Sequence, residues 1–269
     1  MAITALHSAA TGLRALSTDI DVIANNLANA ETNGFKSQRV NFEDLFYQQV
    51  KPPGTVSGDG NVSPSGTFIG LGTRISNTQL NMAEGSIQNT DNPLDVAIEG
   101  PGFFRVKVLN TIGDGTAYTR NGSFFINSQN QLVLGMGDGY TLVPPITIPQ
   151  GTTNVTIGTD GFITGLKSGA TAPTQLGQFK ISQFINSQGL NLLGGSLYQE
   201  TQASGAPIES NPGDQGSGTL QQGAVESSNV DPVNELVTMI KTQRAFELNS
   251  QSIQTADQAL QTIANLRHG

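Results

Sequence analysis

The chain has 269 residues with 32 Gly, 12 Pro, no Cys, 13% charged residues and a formal net charge of −8, a length that allows one large domain or two smaller ones with a real core. The acidic balance, with no run of basic residues against it, excludes a binder of nucleic-acid phosphates, which needs clustered Lys and Arg. The lack of Cys excludes disulfides and thiol chemistry. No stretch approaches roughly 18 consecutive apolar residues and the first residues carry no basic n-region, so neither a membrane span nor a secretory signal peptide is expected.

Read in sevens, the first thirty residues place Ile3, Ala10, Ser17 and Ala24 at one position and Leu6, Leu13, Ile20 and Leu27 at another. That is an a/d seam on a helix, widened by Leu16 and Ile23. The stretch ANNLANAETNGFK, residues 24–36, then brings four asparagines, and Asn is a poor helix former that favours caps and turns. Asn33–Gly34 predicts a left-handed C-cap that stops the helix, with Phe35 opening an extended segment. Asn25, Asn26 and Asn29 are expected to hydrogen-bond neighbouring backbone and the sides of other helices; the plainer alternative leaves them facing solvent at a fraying end.

Tyr47–Arg74 is rich in Gly, Pro and Ser and reads as a linker or an extended arm, with Tyr47, Pro52, Pro53, Pro64, Gly66 and Gly70 as its punctuation. Beyond it come short β-like runs such as PLDVAIEGPGFFRVKVL, AYTRNGSFFI, NVTIGTDGFITGL and LGQFKISQFI, separated by turn signals. The pairs Phe103–Phe104 and Phe124–Phe125 are expected to be strand residues with one ring inward each. Asp59, Asp114, Asp138 and Asp160 stand alone among glycines, which suits tight turns better than calcium loops.

The C-terminal end mirrors the first. Asp231 is the predicted N-cap, with Pro232 at the first helical position. Met239, Phe246, Ile253 and Leu260 follow at intervals of seven, with Ala256 and Ile263 on the adjoining row. Each terminal helix of about 30 residues would be roughly 45 Å long. The predicted fold class is mainly β with long N- and C-terminal helices: residues 1–33 with 226–269 as a discontinuous helical coiled coil, 34–75 as an extended arm, and 76–225 as a central all-β domain. Few large side chains line the seam relative to the entropy lost in ordering such helices, so the ends are expected to order fully only when other subunits cover them.

Nothing in the sequence marks a catalytic centre. His7 and His268 lack companions at metal-ligand spacing, and Gly135–Tyr140 lacks the Lys and helix start of a phosphate loop. No catalytic residue, metal or cofactor is therefore expected. Of the rival classes, a secreted β-rich adhesin gives no reason for paired heptad helices at both ends. A peptidoglycan hydrolase would need a carboxylate pair or metal ligands.

Three long motifs carry a resemblance. SAATGLRALSTDIDVIANNLANAETNGFKSQRVNFEDLF and VESSNVDPVNELVTMIKTQRAFELNSQSIQTADQALQ resemble the N- and C-terminal motifs of the bacterial flagellar rod and hook proteins. NPLDVAIEGPGFFRV, followed by YTRNGSF and QLV, resembles their β-domain signature. Length and the Tyr47–Arg74 segment fit the distal-rod branch; a proximal rod or hook-like axial subunit is the alternative within the family. Asn25, Asn26, Leu27, Ala28, Asn29, Thr32, Gly34, Phe35 and Lys36 match the first motif. Gln243, Arg244, Ala245, Phe246 and Glu247 match the last. Asp95, Ala97, Ile98, Gly100, Gly102, Phe103 and Phe104 match the β signature as core and turn positions.

The resemblance implies a homo-polymer that forms a stiff hollow axle. Leu6, Leu13, Ile20 and Leu27 would pack against the C-terminal row and against neighbouring subunits, with the arm along adjacent subunits. It further implies proximal rod subunits, the hook protein, and peptidoglycan and outer-membrane ring proteins as partners. Export would run through the flagellar type III apparatus without a cleaved signal.

Overall fold

The computed structural model describes residues 2–54, 62, 64–108, 115–135, 137, 139–168, 172–214 and 216–266. The chain forms two units interleaved in sequence: Met1–Ala28, Gln38–Gln79 and Asp231–Gly269 in one, Asn29–Ser37 and Leu80–Val230 in the other. The boundaries therefore differ from those expected. The turn-rich 29–37 segment joins the β unit, because Gly34 and Lys36 are bonded there, and the arm joins the helices.

In the helical unit, α1 spans Ala2–Ala28 and α2 spans Pro232–Leu266. α2 starts where its cap predicts. Asp231 Oδ1 accepts the Val233 N–H at 3.0 Å and the Asn234 N–H at 3.3 Å, while Pro232 has no N–H to leave orphaned. α1, however, stops six residues before Gly34, so Asn33–Gly34 is not its C-cap. The Thr32 N–H donates to the Asn29 carbonyl (3.1 Å), and the Thr32 hydroxyl to Asn29 Oδ1 (3.2 Å), breaking the chain into turns. Gly34, at φ +69°, makes a later reversal that a side chain would resist.

The arm is more ordered than a linker. Gln38–Asp44 pairs with Thr73–Leu80, and Tyr47–Lys51 forms an antiparallel hairpin with Thr67–Gly70, Tyr47 facing Gly70. Pro52 and Pro53 follow the first hairpin strand and Pro64 precedes the second. A Cβ on Gly66 would lie 2.7 Å from the Lys51 carbonyl oxygen. Gly72 combines φ +110° with the tightest approach in the arm, since a Cβ there would sit 2.1 Å from Thr11 Oγ1. The base of the arm is fastened to α1: the Leu71 carbonyl oxygen lies 3.2 Å from His7 Nδ1, and the Thr73 N–H donates to Thr11 Oγ1 at 3.3 Å.

The β unit is all antiparallel. Its largest sheet runs Asn191–Gly194, Leu197–Gln199, Thr116–Thr119, Phe103–Lys107, Thr141–Leu142, Leu132–Leu134, Phe124–Ile126. Phe103–Lys107 is central: Thr116–Thr119 lines one edge, and the other is shared by Ile181–Gln183 and Thr141–Leu142. Thr152–Ile157, Phe162–Lys167 and Thr174–Gln178 make a second sheet. Asp160 sits in the predicted tight turn, its Oδ1 accepting the Phe162 N–H at 3.2 Å; Asp59, Asp114 and Asp138 lie outside the described residues.

Phe124 is buried and Phe125 exposed, as strand alternation predicts. Phe103 and Phe104 depart from it, because both are buried. Phe104 packs edge-on against Phe124 in the main core. Phe103 enters a second cluster with Leu80, Tyr118, Phe184, Leu190 and Tyr198. The strand is covered on both faces, so alternation no longer separates core from solvent. Replacing either Phe103 or Phe104 by Ala should therefore cost about 3–5 kcal/mol in denaturant unfolding, against about 1 kcal/mol or less for Phe125→Ala.

Candidate functional site

The two helices are joined through small and polar side chains. A Cβ on Gly12 would lie 3.0 Å from Asn249 Nδ2. The Thr242 hydroxyl donates to Asp19 Oδ2 at 3.0 Å. Asn26 Nδ2 donates to Glu235 Oε1 at 3.3 Å. Along α1 these contacts step by seven residues and along α2 they step back by seven, so one antiparallel register serves all three. Asn26 does more than join helices. Its Nδ2 donates to the Gln38 carbonyl at 2.7 Å and its Oδ1 accepts the Gln38 N–H at 2.9 Å, so the amide acts as a strand partner for one residue. No aliphatic side chain offers that donor–acceptor pair, which explains an Asn buried near the end of α1.

Among the described side chains of α1, Ala9, Ala15, Ile23 and Asn26 are buried, whereas Leu6, Leu13, Ile20 and Leu27 are only half-buried. On α2, Met239, Ile253 and Leu260 are half-buried and Phe246 is 36% exposed. The side chains of Ile3 and Ile263 lie outside the described residues. A separate apolar stripe, Val233, Leu236, Val237 and Ile240, is exposed on α2. At 100° per residue it is turned away from Glu235 and Thr242.

In the β unit, three segments far apart in sequence meet at one carboxylate. Glu226 is fully buried; its Oε1 accepts from Lys36 Nζ at 2.6 Å and its Oε2 from Arg120 Nε at 2.6 Å. Its backbone carbonyl accepts the Gly34 N–H at 2.8 Å. Lys36 Nζ also donates to the Ala83 carbonyl at 2.7 Å. The rest of the Arg120 guanidinium donates to the carbonyls of Gly100, Gly102 and Ile98, at 2.7, 2.8 and 3.2 Å. One arginine thus holds both the carboxylate and the loop of the IEGPGF signature. Gly100 and Gly102 carry φ values of +101° and +143°, and a Cβ on Gly102 would lie 2.0 Å from Ile181 Cγ2. Burial alone would raise the Glu226 pKa; the charges of Arg120 and Lys36 and their hydrogen bonds outweigh it and hold the carboxyl below its ordinary range.

Of the other motif residues, Asp95 accepts from the Thr90 hydroxyl and the Asn92 amide at 2.7 and 3.0 Å, and Ala97 and Ile98 are fully buried. Gln243 and Arg244 are exposed on α2, with Arg244 3.8 Å from Glu247; Asn25 and Ala28 are exposed on α1 and Phe35 is half-buried. Sequence reading missed Gly12, Asp19, Thr242, Asn249, Arg120 and Glu226. The first four had a signal: small or polar residues at heptad spacing, beside the leucine row that drew attention. Glu226 had none, being one acidic residue in a polar run.

Breaking the carboxylate junction should be costly. Glu226→Gln leaves two buried cations without their counter-charge and should lower the stability of the β unit by about 3–5 kcal/mol in urea unfolding. The native Glu226 pKa is depressed, so its contribution is complete above about pH 4.3 and is lost as pH falls through the native value. The variant should flatten that acid limb of the stability profile.

Among the described residues no helix is long and apolar enough to cross a membrane. Comparison with known proteins accounts for both ends and the middle of the chain. The family described as "Flagella basal body rod protein" matches residues 6–36, "Flagellar hook protein FlgE/F/G D1 domain" matches 97–165, and "Flagellar basal body rod FlgEFG protein C-terminal" matches 221–266. The flagellar basal-body rod protein FlgG of Buchnera aphidicola subsp. Schizaphis graminum is 47% identical over 265 residues, covering 98% of this chain and 100% of the relative. FlgG of Caulobacter vibrioides is 43% identical over 264 residues (98% and 99%), and FlgG of Bacillus subtilis 39% over 268 residues (97% and 98%). The chain belongs to the flagellar basal-body rod and hook protein family, on the distal-rod branch with these relatives, as a structural subunit of the rod.

Proposed function

We propose that the subunit polymerises with copies of itself through its terminal helices into a stiff hollow axle that transmits torque, with no catalytic step of its own. One observation carries this reading. The intrachain helix seam uses Gly12, Asp19, Asn26, Glu235, Thr242 and Asn249, and leaves the Val233–Ile240 stripe of α2 exposed. A solvent-facing helix does not ordinarily expose four aliphatic side chains in one stripe. The half-buried Leu6, Leu13, Ile20 and Leu27 supply an apolar row suited to meet it in a second copy. The arm hairpin, with Phe46, Tyr47, Val50 and Phe68 exposed, suits contact with adjacent subunits that restrains their sliding. By family resemblance the polymer joins proximal rod subunits below and hook protein above, turns within the peptidoglycan and outer-membrane ring proteins, and reaches its place by type III export without a cleaved signal.

Ile240→Glu tests the interface. The substitution keeps a good helix former at an exposed position, so the monomer should retain its circular dichroism and melting temperature. It should fail to form sedimentable polymer, and it should not restore swimming to cells lacking the native subunit. A variant that polymerises like the parent would refute the assignment of this stripe.

A further inference from the structure

The segments that meet at Glu226 contain two Asn–Gly dipeptides, and the fold brings them together. A Cβ on Gly34 would lie 2.7 Å from the Asn121 backbone nitrogen, so Asn33–Gly34 and Asn121–Gly122 are packed against one another. Asn–Gly is chemically the least durable peptide pairing of asparagine, because glycine leaves its own nitrogen unhindered. Neither glycine is replaceable. Gly34 has φ +69° and a backbone wall in place of a side chain, and a Cβ on Gly122 would fall 1.6 Å from the Val96 carbonyl oxygen. The junction therefore requires the labile pairing at two places.

We propose that this paired site is a modification site guarded by folding: in the unfolded chain both asparagines convert to aspartyl and isoaspartyl residues, and a chain so modified can no longer close the junction around Glu226. In the reaction the Gly34 nitrogen attacks Asn33 Cγ. The N–Cγ bond forms, the Cγ–Nδ2 bond breaks, and ammonia leaves with the proton given up by the Gly34 N–H. Water then opens the resulting succinimide at either carbonyl, giving aspartate or, by the other C–N cleavage, isoaspartate with an extra methylene in the backbone. The net change is one amide and one water to one carboxyl group and one ammonia.

The native structure restrains both sites. The attacking Gly34 N–H is committed to the Glu226 carbonyl at 2.8 Å. The Asn33 carbonyl accepts from the Ser196 hydroxyl at 3.4 Å, and the Arg120 and Asn121 backbone packs against Gly34, so the peptide that must rotate for ring closure is held. Asn121 is 1% exposed, with its Oδ1 held by the Ser123 N–H at 2.9 Å, and the Gly122 carbonyl is held by the Val96 N–H at 2.9 Å. Reaction must wait for the unit to open. Once formed, isoaspartate at residue 33 lengthens the chain between α1 and Gly34 and adds an anion to the junction whose two cations already serve Glu226.

The test ages the full-length protein at mildly alkaline pH, native and in guanidinium chloride, and maps aspartyl and isoaspartyl peptides by mass spectrometry. The refolded fraction after dilution is read by circular dichroism. Modification at both sites should be at least about tenfold faster in denaturant, since native reaction needs a prior opening. The refolded fraction should fall in step with modification at residue 33. Asn33→Ser, which keeps Gly34 but removes the reacting amide, should refold after ageing better than the parent. Equal rates in the native and denatured protein would overturn the proposal. So would full refolding of chains modified at residue 33, or an Asn33→Ser chain that ages like the parent.

Discussion

A single buried carboxylate, Glu226, with Lys36 on one oxygen and Arg120 on the other, is the interaction on which the rest of the structure depends. Such a group is tolerated only when its charge and lone pairs are fully met. Three remote segments meet here: the chain leaving α1, which brings Lys36, the residues just after the strand Thr116–Thr119, which bring Arg120, and the short strand Ala224–Glu226, which carries the carboxylate and leads back towards α2. The Gly85 N–H, donating to Oε1 at 2.9 Å, completes the carboxylate's set, while the Gly34 N–H donates to the Glu226 backbone carbonyl at 2.8 Å. Both passages of the chain between its helices and its β unit are thereby fixed to the β unit before the helices begin.

The helical unit follows a different logic. Polar pairs in a helix seam contribute less stability than leucine would, but they tolerate one register, because a slip leaves donors and carboxylates facing apolar neighbours. Gly12, Asp19 and Asn26 against Asn249, Thr242 and Glu235 form such a ladder. Its consequence is that the aliphatic side chains on the opposite face of the first turns of α2 are not consumed inside the subunit. Val233, Leu236, Val237 and Ile240 remain exposed, as the proposed packing against copies of the subunit would need. Asp19 also matters electrostatically: burial foremost, with the charges of Asp19 and Asp231, raises the Glu235 pKa against the lowering effect of the Asn26 hydrogen bond.

Much of this architecture was legible in the sequence because it is local. The Asp231–Pro232 cap, the two long helices, the Asp160 turn and the Phe124–Phe125 alternation each depend on a few neighbouring residues. What was not legible depends on partners far along the chain. The leucine heptads drew attention to half-buried positions, whereas the hydrogen bonds to α2 come from the neighbouring row of Asp19 and Asn26. Gly34 looked like a helix cap because its left-handed conformation is the same whether it ends a helix or aims an N–H at Glu226. Phe103 broke the alternation because a second cluster, assembled from residues 80–198, covers the outer face of its strand. Lys36 matched the first motif and Arg120 lay within YTRNGSF, but nothing local to either pointed to the buried Glu226 that the fold places between them.

Native-state hydrogen exchange under increasing denaturant tests most directly whether the Glu226 junction belongs to the core of the β unit. The Gly34 amide should exchange at the same opening free energy as amides of the central strand Phe103–Lys107, through one cooperative unfolding. A Gly34 amide that exchanges at markedly lower free energy, while that strand stays protected, would show a junction that opens on its own and would contradict the account.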